Sequence, residues 1–145
     1  MKLKNIKNPS IAKEIYEQAR FVQNKLSYEK WVEYIDAHQN YFTWEDDTPD
    51  GIYRREHIDE YPEWAKEGIL NSRKGRALAE FNKRKGWYEI DLAFHGNFGI
   101  ITTTFQKRIT KEHLKRLLDF ADYLNAYVLN NGKKIIDKRI IESLE

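Results

Sequence analysis

Apolar positions recur at two periods along this chain, and the changes of period mark its elements. Asn8-Pro9-Ser10 reads as a helix start, with Asn as the cap and Pro in the first turn. Ile11, Ile15, Ala19, Val22 and Leu26 then recur at steps of three and four, which is helical spacing. Ser27 caps a second predicted helix that carries Trp31, Val32, Ile35 and His38, so residues 9–38 read as an αα-hairpin. Asn40 to Trp44 is short, aromatic and β-prone. Glu45-Asp46-Asp47-Thr48-Pro49-Asp50-Gly51 reads as a turn, with a short returning strand at Ile52 to Glu56. Pro62 opens a short helix that Gly68 closes. Ser72, or Asn71, opens another through Ala77, Leu78 and Phe81, ending at Gly86.

The period then changes to two. Trp87–His95 and Phe98–Lys107 flank Gly96-Asn97, a two-residue hairpin turn. Pairing His95 with Phe98 places Tyr88, Ile90, Leu92 and Phe94 on one face with Phe105, Thr103, Ile101 and Gly99. The opposite face carries Glu89, Asp91, Ala93 and His95 with Thr104, Thr102, Ile100 and Phe98. Thr110 caps a long helix whose Leu114, Leu117, Leu118, Ala121, Leu124 and Val128 cover the apolar hairpin face, with Asn131-Gly132 as its end. Ile136, Ile140 and Leu144 suggest a last short helix, although Lys133–Asp137 also suits a strand. The predicted class is α+β, with a small antiparallel sheet from hairpin 87–107 plus short strands near 40–56, and helices packed on one face. A length of 145 residues, with no repeat or linker composition, suggests a single domain over 1–145.

Composition narrows the chemistry. With no cysteine, disulfides and thiolate chemistry are excluded, and any zinc site would need His and carboxylates alone. No apolar run has the length of a membrane span or a signal peptide, which points to the cytoplasm. The four histidines, at 38, 57, 95 and 113, show no paired metal-ligand spacing. No nucleophile elbow and no Gly-rich phosphate loop occurs, so no enzyme class is indicated and no cofactor is expected.

Charge changes the picture most. Residues 31–69 hold 11 acidic and 3 basic side chains, whereas 1–30 hold 7 basic and 3 acidic, and 70–86 hold 6 basic and 1 acidic. Large aromatics share the acidic block. Carboxylates interleaved with aromatics suit docking onto a basic protein, the aromatics anchoring and the charges steering. The candidate partner-binding residues are Tyr41, Trp44, Glu45, Asp46, Asp47, Asp50 and Tyr53. The function this suggests is that of a small binding protein masking a basic partner, of the toxin-immunity or nuclease-inhibitor type.

Two alternatives use other residues. Asp50, Glu89 and Asp91, with His95 nearby, are the right ligand types for Mg²⁺ and metal-assisted phosphodiester cleavage. The spacing Pro49-Asp50 … Glu89-Ile90-Asp91 resembles that of restriction-endonuclease-like metal nucleases. It departs from their pattern at Asp91, where they carry a lysine. The same turn lacks the alternating ligands and terminal Glu of an EF-hand loop. The other alternative is a nucleic-acid-binding module that uses a basic helix over 73–85, with Trp87 and Phe98 available for stacking.

Overall fold

The hairpin expected from the period-two pattern is the middle of a larger sheet. The computed structural model describes residues 1–71 and 73–145. Among them, β1 (Ser10–Ala12), β2 (Phe42–Trp44), β3 (Arg76–Asn82), β4 (Trp87–His95), β5 (Ile100–Phe105), β6 (Tyr127–Asn130) and β7 (Lys134–Ile135) form one open antiparallel sheet. The strand order is β2-β3-β4-β5-β1-β6-β7. Five helices pack against it: α1 (Tyr28–Ala37), α2 (Pro49–Glu56), α3 (Glu63–Asn71), α4 (Lys111–Tyr123) and α5 (Lys138–Ser143). The class is α+β, as the pattern indicates. Among the described residues no helix is long and apolar enough to cross a membrane.

Local capping chemistry fixes the helix starts. The Ser27 hydroxyl accepts the Lys30 N–H, and Thr110 Oγ1 accepts the His113 N–H, each at 3.2 Å. Asp137 does the same for α5, accepting the Ile140 N–H at 2.9 Å. The apolar faces of α1 and α4 then meet over β4 and β5. Trp31 stacks between Phe120 at 5.7 Å and Phe94 at 5.8 Å, while Leu92, Ile101 and Leu114 are fully buried beside them. Leu117, Ala121 and Leu124 are buried and Leu118 is half-buried in the same core, as expected.

Five local expectations are corrected. Residues 9–26 are not a helix. Ser10–Ala12 is a central strand, with Ile11 opposite both Ile101 and Val128, and Ile15, expected on the buried stripe, is 52 % exposed. Val22 instead packs with Ala12, Ile100 and Leu129 in a second small cluster. Pairing on both sides of β1 outweighs the helical spacing. Ile52 to Glu56 is not a strand, because Thr48 Oγ1 accepts the Gly51 N–H and Pro49 takes the first helical position of α2. The helix expected over 72–86 is β3, paired with β2 and β4 on its two edges. Its expected start at Ser72 lies outside the described residues.

The hairpin register also differs. His95 pairs with Ile100, leaving a four-residue loop 96–99 rather than a two-residue turn. His95 O accepts the N–H groups of Phe98 at 3.1 Å and Gly99 at 2.7 Å. Gly99 lies at φ +69, and a Cβ there would sit 2.6 Å from Lys25 Cα, so the longer loop makes room for the 25–26 segment. Because the slip is by two residues, Leu92 and Ile101 keep the same face. Finally, α4 ends at Tyr123, not near 131. Asn125 adopts φ 57 and Ala126 N–H reaches Ala121 O at 2.8 Å, an αL stop that frees Val128 for β6.

Candidate functional site

The acidic block folds as an excursion between two neighbouring strands. Chain leaving β2 makes a tight 3₁₀ turn at Glu45–Asp47, runs through α2, a second 3₁₀ turn at Ile58–Glu60 and α3, and returns into β3. Gly51 lies flat on the first turn, where a Cβ would come within 2.2 Å of Glu45 O. Arg54 forms an ion pair with Glu45, and Arg55 Nη2 donates to Asp46 O at 2.6 Å. These contacts fasten the start of α2 to the turn. Beyond it, Gly51 is the only buried residue of α2, and no described side chain of α3 is buried.

The seven sequence-selected residues divide into three groups. Trp44 and Tyr41 are not surface anchors. Trp44 is 2 % exposed, edge-on to Trp31 at 5.7 Å, with its Nε1–H donated to Asp36 at 2.8 Å. Tyr41 is half-buried beneath Arg116, whose guanidinium sits 3.6 Å from the ring centre. The strand pleat sends Phe42 and Trp44 to the helix-covered face. Glu45 and Asp46 are partly buried and already bonded, Glu45 to Arg54 and Asp46 Oδ2 to the Lys74 N–H at 2.7 Å. Asp47, Asp50 and Tyr53 are exposed, and the Tyr53 ring stacks on His57 at 3.9 Å.

The same excursion carries exposed apolar residues that the sequence selection omitted. Trp64 is 83 % exposed, Leu70 57 % and Ile52 40 %. Around them stand the exposed acids Glu56, Asp59, Glu60, Glu63 and Glu67. A signal for Trp64 existed: in α3 the half-buried positions Ala65 and Ile69 are one turn apart, which leaves Trp64, Glu63 and Glu67 off the inward stripe.

A second polar cluster lies on the helix side of the sheet. Glu80 adopts φ 56 within β3, and its carboxylate accepts from Tyr41 OH at 2.5 Å, Lys107 Nζ at 2.7 Å and His113 Nε2 at 2.7 Å. Thr110 N–H donates to His113 Nδ1 at 3.0 Å, which leaves Nε2 as the nitrogen that donates to Glu80. Burial opposes charge on Glu80, but the hydrogen bonds from Lys107, Tyr41 and His113 outweigh it and hold the carboxyl down at about 2. Burial, reinforced by the Glu80 carboxylate, pushes the Tyr41 phenol well up. Every partner donates to this carboxylate, so the cluster ties β3 to α4, to the residue before β2 and to the chain after β5.

The alternative sites are dispersed. Glu89 is 7 % exposed and accepts from Asn82 Nδ2 at 2.5 Å, whereas Asp91 is bonded to Arg76. His95 Nε2 contacts Thr102 Oγ1 at 2.7 Å, and Asp50 sits apart on α2. Among the described residues no three His, Asp or Glu side chains converge as a metal-ligand group. The basic stretch 73–85 is a strand with its charge at both ends: Arg73, Lys74 and Arg76 at one, Lys83, Arg84 and Lys85 in the β3–β4 turn at the other. Compared with protein-family models, with curated proteins and with solved structures, the chain finds no match in any of the three.

Proposed function

We propose that this chain is a small binding protein whose α2–α3 excursion docks onto a basic protein and masks it, as immunity proteins and nuclease inhibitors mask their targets. The observation that carries the reading is the composition of that excursion's surface. Trp64, at 83 % exposure, stands among carboxylates on a unit that gives almost nothing to the core. Residues 49–71 hold six acids against three bases. Arg54 is paired with Glu45, and Lys66 with Glu63 at 2.8 Å and Asp59 at 3.9 Å, which leaves Asp50, Glu56, Glu60 and Glu67 as the exposed acids of this stretch with no ion pair among the described residues. Exposing so much apolar area on one unit has a desolvation gain only when something covers it. Interfaces of this type place an aromatic anchor at the centre and charges around it. The acidic rim selects a cationic target and speeds its encounter.

Relative to the sequence-selected set, the docking surface keeps Asp47, Asp50 and Tyr53. It replaces Trp44 with Trp64 and adds Glu56, Asp59, Glu63 and Glu67. The test is affinity capture from the native source with the parent chain, with Trp64→Ala and with Glu63→Lys/Glu67→Lys. A basic protein captured by the parent and lost by both variants is the expected result. Capture that is insensitive to both overturns the reading. Capture of nucleic acid, abolished by neutralising Lys83, Arg84 and Lys85 beside the 47 % exposed Trp87, would favour a nucleic-acid module instead.

A further inference from the structure

Between α2, α3, residues 73–76 and the loop end of β4 lies a cleft of about 750 Å³. That volume falls within the range of small-molecule sites. Five cationic side chains line it, Arg54, Arg55, Arg73, Lys74 and Arg76, against the two carboxylates of Glu45 and Asp46. Three of these cations already face an acid. Arg54 is bonded to Glu45, Arg76 to Asp91, and Lys74 Nζ lies 3.5 Å from Asp36. The lining carboxylates are engaged as well, since Asp46 accepts the Lys74 N–H.

Arg55 and Arg73 are left over. Arg55 donates one Nη to a backbone carbonyl, which does not neutralise it, and its Nε is buried with no acceptor among the described residues. Arg73 is exposed and has no carboxylate partner among the described residues. Neither guanidinium is matched by a carboxylate among the described residues, and a guanidinium fork binds phosphate oxygens in pairs. The cleft is larger than a phosphate needs, and its remaining wall is aromatic. Tyr28 and Phe94 line it with ring centres 5.7 Å apart, and Trp64 lines it as well.

We propose that this cleft binds a nucleoside monophosphate, the phosphate held by Arg55 and Arg73 and the base set against Tyr28 and Trp64. This assignment goes beyond the docking role: it shares Trp64 with the docking surface but rests on the cleft's cations, not on the acids outside it.

The test is calorimetric titration of the full chain with adenosine monophosphate, inorganic phosphate and adenosine. Saturable binding of the monophosphate is expected, with phosphate weaker and adenosine showing no saturation. Losing a charge-assisted contact should weaken the monophosphate about tenfold or more in Arg55→Gln and in Arg73→Gln. Arg73 is exposed, so its variant folds and decides the matter if Arg55→Gln does not. The titration uses the chain alone, with no protein partner present, which keeps it separate from the docking test. The proposal is overturned by no saturable monophosphate binding, by adenosine or phosphate binding equally well, or by an Arg73→Gln titration identical to the parent's.

Discussion

Replacing Glu80 by Gln removes the charge at the centre of the Tyr41–Lys107–His113 cluster while keeping its size. The fall of the Glu80 carboxyl from 4.5 to about 2 corresponds to an upper bound of about 3 kcal/mol. The side chain is 26 % exposed, so solvent screens part of this, and we expect about 1–2 kcal/mol. The sign follows from linkage. The folded value is depressed, so the stabilisation is fully present above pH 4.5 and is lost as pH falls toward about 2. The left-handed backbone at φ 56 costs Glu and Gln alike and cancels in the comparison. The assay is urea unfolding of both proteins at several pH values from 7 down to 2.5. Glu80→Gln should be less stable at pH 7, and the gap should close as the pH falls. A gap that stays constant across that range, or none at pH 7, refutes the reasoning.

The remaining predictions concern packing. Trp44→Ala should destabilise by about 3–5 kcal/mol in urea unfolding, because the ring is buried against Trp31. Trp64→Ala should stay within about 0.5 kcal/mol of the parent in the same assay, since its ring supports nothing. Gly132→Ala should lower the unfolding midpoint, since φ is +74 and the new Cβ would meet Tyr16 O at 2.7 Å. Gly68→Ala should stabilise the fold by about 0.5–1 kcal/mol, because Gly68 sits inside α3 with nothing within 4 Å of an added Cβ. Leu117→Ala, on the buried face of α4, should cost about 2–5 kcal/mol by the same measurement.

Elements with local chemistry were legible in the sequence. Ser27 and Thr110 announce α1 and α4 by capping, and the alternation of 87–107 announces β4 and β5 with their faces correct. Elements fixed by distant partners were not. Arg76-Ala-Leu-Ala-Glu80 favours a helix, and only its place between β2 and β4 makes it a strand. The short β1 has no local alternation to detect, because its burial comes from Ile101 on one side and Val128 on the other. Thr48-Pro49-Asp50-Gly51 suits both a turn and a helix start, and the packing of Gly51 on Glu45 selects the helix. The segregation of acids was visible as a charge run. The division of its aromatics into core and surface was not, because it depends on which face of β2 meets α1.

The docking claim is tested most directly by association kinetics between this chain and the basic protein it captures, across a salt series. Glu63→Lys/Glu67→Lys should slow association by about tenfold or more at low salt and flatten its salt dependence, because steering comes from exposed charge. Trp64→Ala should leave association nearly unchanged and speed dissociation about thirtyfold, the equivalent of a lost anchor of about 2 kcal/mol. Association and dissociation rates that match the parent's in both variants would contradict the account.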